Sequence, residues 1–536
     1  MGIPGAANPL LLASAASGYQ IERSLRFNSA DSAHLSRTPA SAGNRKTWTW
    51  AGWMKRSGLG EMDLFSSTFA LNDPGWFRLL FQSNNTLRVD AGYNPQVGTT
   101  ETFRDLSAWY HIVLAFDTTQ ATATSRVLLY VNGALQSVTG SYPALNGETA
   151  INAAQPISIG RYPYANTSYL SGYLAEIHFI DGQALDPTSF GEFDTNGIWQ
   201  PKAYTGTYGT NGFKLDFADN SSNTATTLGK DTSGNSNNFT PNNLSVTAGS
   251  GNDSLVDTPT SYGTDTGVGG EVRGNYATLN PLALPSTRTF SEGNLDISAL
   301  SSNFRALATC GVLSGKWYWE VTPITINENR CVIGIADQSW GYSDLGGTVY
   351  SYGYIADARK YNNGAFSIYG ASFVANDVIG VALDMDAGTL TFYKNGVSQG
   401  QAFSGITQQM FPAVGSTGGG VTIRTVANFG QRPFAYTAPS GFKALCTANI
   451  PEGTITTSGT FTGNANADGP FVYLNGVPTA MTINGNAVTF ATHADKLSNG
   501  FKVRSSSGSY NTSGSNTYSV TTTGAKFKVA RAQPNP

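Results

Sequence analysis

The chain has 536 residues and a formal net charge of −3, and only 12% of its residues are charged. At roughly 150 residues per domain, this length predicts about three to four domains. Aromatic residues reach 12%, which excludes an intrinsically disordered chain, and the slightly acidic balance without a Lys/Arg cluster excludes a generic nucleic-acid binder. Turn residues between β-branched and aromatic runs predict an all-β protein.

The N-terminal segment, residues 1–18, is apolar but lacks the features of a secretory signal. No Lys or Arg precedes Arg23, and Pro4 and Pro9 interrupt the apolar run. We therefore expect a flexible arm or docking peptide here, and we expect no membrane insertion anywhere along the chain.

Period-two alternation of apolar and polar residues predicts strands along almost the whole chain. One short helix is predicted at Asp186–Phe193, with Asp186 as its N-cap and Pro187 as its first helical residue. The clearest strands are bounded by turn residues and are Thr47–Trp53, Trp76–Phe81, Tyr110–Phe116 and Arg126–Val131.

Asn-Gly pairs predict β-hairpins, because both central residues of a type I′ turn need a positive φ. Three such pairs follow apolar or aromatic runs in separate parts of the chain, namely Asn132-Gly133, Asn395-Gly396 and Asn475-Gly476.

The cysteines have neither disulfide nor zinc-site spacing. We expect all three to be core residues of a chain made in a reducing compartment. They are Cys310, Cys331 and Cys446.

Composition shifts predict the domain boundaries. Residues 219–275 are dominated by Asn, Ser, Thr, Gly and Asp, which predicts a long loop or linker, and residues 451–470 are similar. The resulting division is an arm at 1–18, a first domain at 19–218, the linker at 219–275, a second domain at 276–450 and a small C-terminal β domain at 451–536.

The first domain contains a series of strand and turn motifs, namely Thr47–Ser57, Trp109–Val113 followed by Phe116-Asp117, Leu129–Gly133, Ile157–Arg161, Gly172–Ile177 and Ala184-Leu185. Together these motifs resemble the concanavalin A-like, laminin-G-like jelly rolls. The resemblance implies an antiparallel β-sandwich over roughly 180 residues.

The second domain contains sharper motifs, namely Gly315–Val321, Val332–Ala336, Asn376–Asp384, Gly388–Gly396 and Phe411–Val414. Over roughly 130 residues these motifs resemble SPRY domains. The resemblance implies a bent β-sandwich that binds partners through its loops and is not an enzyme.

The pairing of these two domains with an Asn/Ser/Thr-rich linker resembles tail-fibre and other appendage proteins of tailed bacteriophages. Segments Arg23–Asn28 and Asp253–Thr260 fit that group. The resemblance implies a virion protein made in the host cytoplasm and attached to other virion proteins through residues 1–18. It also implies a homotrimer that binds a host-surface glycan or receptor and no nucleic acid.

No catalytic residue, metal site or cofactor is predicted. His111 is expected to be structural, and His178 is expected to hydrogen-bond near Glu176 rather than to act in a triad. A glycoside hydrolase needs paired carboxylates, and the Glu-x-Asp-x-x-Glu strand of laminarinase-like jelly rolls is absent. The stretch Asp231–Asn238 carries oxygen-bearing side chains at alternate positions but no following Glu, and it is expected to be an Asx-turn loop rather than a calcium site. A polysaccharide-degrading appendage and a head decoration without host binding remain the alternatives.

An aromatic cluster between two strands of the SPRY-like domain is the best candidate binding site, because aromatic faces beside amides and charges suit sugar rings and protein partners alike. Trp340 and Tyr342, in the least patterned loop, are the leading candidates. The four proposed ligand-binding residues are Trp340, Tyr342, Tyr361 and Arg359.

Overall fold

The computed structural model shows strands joined by turns and short 3-10 helices, which confirms the all-β prediction. Residues 1–17, Asn475-Gly476 and Tyr342 lie outside the described part of the chain. The described residues are 18–67, 76–92, 96–194, 198–283, 288–299, 304–338, 340, 344–449, 454–465, 469–474, 477–490, 492–497, 500–504, 510–523 and 527–529.

The first sandwich is built from strands in the N-terminal half of the chain. Its 3-10 turns are Ser29–Asp31, Ala123–Ser125 and Pro187–Ser189. Its strands and a flanking hairpin are β1 Ser24–Phe27, β2 His34–Arg37, β3 Thr47–Arg56, β4 Met62–Ser67, β5 Phe77–Phe81, β6 Thr86–Ala91, β7 Gln96–Thr102, β8 Trp109–Asp117, β9 Val127–Val131, β10 Ala134–Leu135, β11 Val138–Ser141, β12 Ile157–Ile159, β13 Gly172–Asp181, β14 Gly191–Phe193, β15 Trp199–Pro201, β16 Phe213–Leu215, β17 Thr240–Asn242 and β18 Ser254–Leu255.

Two antiparallel sheets enclose the core of the first sandwich. One runs β10-β9-β8-β3-β13-β1-β18, with β16 also paired to β13, and the other runs β11-β7-β6-β5-β4-β12-β2-β17. Trp48 and Trp50 of β3 point to the same face because they are two residues apart, and both are fully buried. Trp48 stacks on Phe116 of β8 with ring centroids 4.7 Å apart.

The second sandwich follows from residue 289. Its 3-10 turns are Glu292–Asn294 and Thr447–Asn449. Its strands are β19 Thr289–Ser291, β20 Asp296–Ala299, β21 Arg305–Leu307, β22 Cys310–Val312, β23 Lys316–Ile326, β24 Cys331–Ala336, β25 Ser351–Ile355, β26 Arg359–Asn362, β27 Ala365–Ile368, β28 Ile379–Asp384, β29 Thr389–Lys394, β30 Val397–Phe403, β31 Phe411–Ser416, β32 Ile423–Asn428 and β33 Lys443–Ala444.

The second sandwich also has two layers. One sheet runs β19-β20-β32-β23-β28-β29-β30, with β33 joined in parallel to β23, and the other runs β21-β31-β24-β25-β26-β27. Trp319 and Tyr354 are buried in its core, and the three cysteines are buried free thiols, as expected from the sequence.

The C-terminal domain contains two small sheets, β34-β40-β36-β37 and β35-β39-β38, around Ile483, Phe501 and Val520. The last strand, β41, leaves this domain and pairs with β22 of the second sandwich. The strands are β34 Thr454–Gly463, β35 Phe471–Tyr473, β36 Val477–Ile483, β37 Asn486–Ala487, β38 Ala494–Leu497, β39 Gly500–Val503, β40 Gly514–Thr523 and β41 Phe527–Val529.

Residues 219–275 are not a linker between separate domains, which corrects the prediction. They add β17 and β18 to the edges of the two sheets of the first sandwich, and they bury Leu228 and Phe239 completely. Polar side chains take up the backbone hydrogen bonds of this loop instead of a strand ladder. The Asp231 carboxylate, for example, accepts from the backbone N–H groups of Lys214, Ser233 and Asn237, which agrees with the Asx-turn prediction.

A buried ion pair joins the first sandwich to the segment that leads into the second. Lys55 of β3 donates to Asp257 Oδ2 at 2.8 Å, to Asn275 Oδ1 at 2.7 Å and to the Tyr276 carbonyl at 2.8 Å. Both charged side chains are completely buried. Because one hydrophobic cluster contains Trp53 and Trp109 as well as the second-sandwich core, the two sandwiches pack as one continuous body.

Local turn chemistry follows the sequence closely. Asn132-Gly133 and Asn395-Gly396 have the consecutive positive φ angles of type I′ turns, so both hairpin predictions are confirmed. The predicted helix is shorter than expected. Asp186 caps it by accepting from the Thr188 N–H at 2.8 Å, but only Pro187–Ser189 is helical, because β14 begins at Gly191 and pairs with β15.

Candidate binding sites

Trp340 is a core residue, which corrects its selection as an exposed ligand-binding residue. It is 1% exposed and packs with Leu345 and Phe411. Its indole Nε1 donates to the Asp344 carbonyl at 3.3 Å. The Trp340 ring thus packs into the sandwich, although the sequence pattern placed it outside.

Tyr361 is also buried, with 8% of its surface exposed, and it stacks on Phe366 with ring centroids 4.0 Å apart. Its selection as a ligand-contacting ring is corrected in the same way. Arg359 differs, because 41% of its side chain is exposed. Its guanidinium lies 4.5 Å from the Phe366 ring centroid and forms an ion pair with Asp357. A binding role for Arg359 stays a prediction, and Tyr342 lies outside the described residues.

Most of the remaining predicted aromatic cluster is core. Tyr352 and Tyr354 lie on the same face of β25, and both point inward. Tyr354 packs against Phe373 and Phe392 with centroids 5.0 and 5.3 Å away. Tyr350, outside the strand, keeps 38% of its surface exposed.

A second site, which we call the junction cleft, lies between the first sandwich and the C-terminal domain. It is a cavity of about 270 Å³, near the lower end of the ~300–1,000 Å³ typical of small-molecule sites. The first sandwich contributes Glu101, Phe103, Tyr110, Val131, Asn132, Ala134, Phe193 and Trp199, and the C-terminal domain contributes Phe471, Phe490, Asp495, Lys496, Leu497, Lys502 and Arg504.

Two aromatic residues of the β14–β15 hairpin form one wall of the junction cleft. Phe193 is 55% exposed and meets the Trp199 ring edge-on, with centroids 4.9 Å apart. Trp199 is fixed from behind, where its Nε1 donates to His111 Nδ1 at 3.0 Å. Gly133 allows this packing, because a Cβ on that residue would lie 2.4 Å from the Trp199 ring.

Charged side chains from both domains line the rest of the cleft, and most of them are paired. Glu101 of β7 lies 3.7 Å from Lys502 and 3.5 Å from Arg504, and Arg504 also pairs with Asp495 at 2.5 Å. These contacts hold the C-terminal domain against the first sandwich. Among the described residues, no carboxylate lies within ion-pair distance of Lys496. Its ammonium lies 5.1 Å from the Phe490 ring centroid. Burial lowers the pKa of Lys496, and the more distant Asp194 opposes that effect.

A cluster of charged side chains surrounds Glu176 and His178 on β13. Glu176 has φ +49° within a β-bulge, and its carboxylate accepts from Tyr19 at 2.5 Å and lies 3.1 Å from Lys214 and 3.3 Å from His178. Burial alone would raise the pKa of Glu176, but the His178 hydrogen bond and the nearby positive charges lower it to about 2. His178 also hydrogen-bonds Tyr208 at 2.9 Å. The cluster therefore connects the segment around Tyr19 to strand β13.

The junction cleft was not found from the sequence. Its C-terminal wall belongs to a domain with no recognised family, and its other wall depends on how two domains dock. The Asn132-Gly133 turn was the one signal at this position, and it predicted a hairpin rather than a site.

Within the described part of the chain, no helix has the length and apolar character needed to cross a membrane. The same residues contain no group of three or more His, Cys, Asp or Glu side chains arranged to hold a metal ion.

Comparisons with known proteins identify the two sandwiches. Residues 28–189 match the family model of the concanavalin A-like lectin/glucanases superfamily, and residues 316–432 match that of the SPRY domain. Over 161 residues the chain is 35% identical to the E3 ubiquitin-protein ligase RKP of Arabidopsis thaliana, covering 28% of this chain and 12% of that protein. Over 146 residues it is 34% identical to the ATP-dependent RNA helicase Ddx1 of Drosophila melanogaster, covering 26% of this chain and 19% of that protein.

The chain therefore spans less than a fifth of the length of either relative. Among solved structures, the SPRY domain of human HERC1 is similar at 22% identity and a TM-score of 0.26, over 28% of this chain and 96% of that chain. The family matches confirm the two domain identities expected from the sequence motifs: the chain carries a concanavalin A-like, laminin G-like sandwich followed by a SPRY domain.

Proposed function

We propose that the chain is a non-enzymatic virion protein of a tailed phage, a tail fibre or similar appendage that binds a glycan or protein on the host surface. The observation that carries the binding role is the junction cleft, where the exposed Phe193 ring and the half-buried Phe490 ring lie beside polar and charged side chains around a small cavity. Clefts between domains are preferred positions for ligand sites.

The appendage role rests on the tandem of a concanavalin A-like and a SPRY domain and on the resemblance of that pairing to phage appendages. In this proposal residues 1–18 dock onto another virion protein, and three copies form a homotrimer. Several copies of one weak site then give the avidity that attachment requires. Deletion of residues 2–18 should leave the body folded but prevent its incorporation into particles.

The charges of the junction cleft support a binding role over hydrolysis. A glycosidase needs one carboxylic acid that stays protonated and a second carboxylate on the other side of the sugar. Here the two carboxylates of the lining, Glu101 and Asp495, are both engaged by the same Arg504 guanidinium, an arrangement that holds the two domains together rather than placing the acids on opposite sides of a sugar.

The test is a binding assay of the purified full chain on host cells, with host polysaccharide incubated in parallel. We expect retention on cells and no release of reducing ends. Phe193→Ala should weaken retention, because Phe193 is an exposed wall of the cleft, whereas Ile368→Ser should not, because Ile368 is 90% exposed on the distant strand β27. Failure of the chain to bind cells, or release of reducing ends that one acidic substitution abolishes, would refute the proposal.

A further inference from the structure

We infer that the junction cleft binds an acidic saccharide, whose ring packs on Phe193 and Phe490 and whose carboxylate pairs with Lys496. This inference rests on the proposed function and deepens it by naming the class of ligand.

The shape and lining of the cleft fit a short saccharide. Its volume of about 270 Å³ accommodates a small molecule rather than a folded partner. Phe193 offers an exposed ring on one side, and Phe490 is half-buried on the other. Apolar ring faces beside a few polar groups suit a sugar, which has an apolar face and a hydroxylated rim. Asn132 and Asp495 supply polar groups among these rings.

The charge balance of the cleft favours an acidic ligand. Its lining contains three cations and two carboxylates. Arg504 and Lys502 are matched by Glu101 and Asp495 through the ion pairs already described. Lys496 is the remaining cation of the lining, and its ammonium lies over the Phe490 ring. Among the described residues the acid that acts on it is Asp194, which lies beyond ion-pair distance. A partly buried charge is stabilised by a counter-ion, so a ligand carboxylate would give Lys496 an ion-pair partner.

Both walls of the site take part, since Phe193 belongs to the first sandwich and Lys496 and Phe490 belong to the C-terminal domain. A ligand held between them stabilises the docked arrangement, because it binds only when the two walls are together. Ligand binding is therefore expected to raise the melting temperature of the C-terminal domain as well.

The experiment is a calorimetric titration of the full chain with a glucuronate-containing tetrasaccharide and with a neutral glucose tetrasaccharide of the same length. We expect the acidic probe to bind at least tenfold more tightly. Lys496→Met, which keeps the aliphatic stem, should remove that preference, whereas Phe193→Ala should weaken both probes. High salt should weaken only the acidic probe. Lys230→Met, an exposed lysine outside the cleft, is the matched control and should change nothing.

The outcomes separate this inference from the proposed function. Equal binding of both probes, or an acidic preference that survives Lys496→Met, overturns the inference and leaves host attachment standing. Binding of neither probe by a chain that still retains host cells overturns the inference alone. A chain that binds neither the probes nor host cells overturns both.

Discussion

Trp340 shows how burial decides the role of an aromatic side chain. Because the ring fills a closed part of the SPRY core beside Leu345 and Phe411, Trp340→Ala should lower the free energy of unfolding by about 3–5 kcal/mol. Arg359→Ala, at a surface ion pair, should cost within about 1 kcal/mol. Thermal melting of both variants checks this, and a Trp340→Ala variant as stable as the wild type would contradict the assignment of Trp340 to the core.

His111 gives the first sandwich a pH-dependent stability. Burial lowers the pKa of His111 from 6.5 to about 3, so the folded state keeps a neutral ring that accepts the Trp199 indole N–H. Below about pH 6.5 His111 binds a proton in the unfolded chain but not in the folded one. Its contribution to the free energy of unfolding is therefore fully present above that pH and is lost as the pH drops toward 3. Between pH 7 and pH 5 the expected loss is about 2 kcal/mol.

The variant His111→Gln isolates this contribution. The amide does not titrate, so its melting temperature should fall less between pH 7 and pH 5 than that of the wild type. Other buried groups, including His34, whose pKa burial also lowers, remain in both proteins and cancel in the comparison. Parallel pH profiles for the two proteins would show that His111 is not the group that titrates.

At the scale of the elements, two Asn-Gly turns of the SPRY domain allow the cost of backbone strain to be measured apart from the cost of steric overlap. Gly364 has φ +75° and Gly396 has φ +78°. A Cβ on Gly364 would meet nothing within 4 Å, whereas on Gly396 it would lie 2.5 Å from Tyr436 Cδ1. We expect Gly364→Ala to cost about 1–2 kcal/mol through strain and Gly396→Ala to cost about 1–3 kcal/mol more through overlap. Equal losses on chemical denaturation would contradict the contact with Tyr436.

The strands that could be predicted are those with alternating large apolar residues, such as Thr47–Arg56. Strand Thr454–Gly463 escaped prediction because it is rich in Thr, Ser and Gly, and pairing along its whole length with Gly514–Thr523 holds it in place. Residues 219–275 escaped for a related reason. Their buried apolar residues are too widely spaced to form a period, and side-chain hydrogen bonds replace the strand ladder.

The prediction of an aromatic binding site was wrong because it depended on how side chains pack between strands. Aromatic residues are indeed dense from β24 to β26, but the sequence pattern did not show which rings point into the core. Trp340, between two strands, and Tyr361, on β26, both do. The junction cleft could not be anticipated either. Its walls come from residues as distant as Phe193 and Lys496, and the contact between Glu101 and Arg504 exists only after two domains dock.

At the scale of the whole molecule, polar and apolar contacts cross the boundary between the two sandwiches together. Arg26 pairs with Asp253 and with Glu292, and Tyr173 donates to the Gly293 carbonyl at 2.6 Å. In the proposed appendage role, such a joint would reduce motion between the domains and so keep the cleft at a fixed distance from the attachment point.

Lys55 tests this joint directly. It is fully buried and donates to Asp257, Asn275 and the Tyr276 carbonyl. Lys55→Met would leave the Asp257 carboxylate buried with only the weaker donors Trp109 and Tyr276 N–H, at 3.2 and 3.3 Å. Removing one partner of a buried pair costs about 3–5 kcal/mol.

In calorimetry the wild type should show both sandwiches melting in one transition, and Lys55→Met should lower the temperature of that transition or split it in two. Lys316→Met is the control, since Lys316 is 45% exposed beside Asp384 and should cost at most about 1 kcal/mol. A Lys55→Met protein that melts as one unit at the wild-type temperature would show that the apolar contacts alone hold the two sandwiches together.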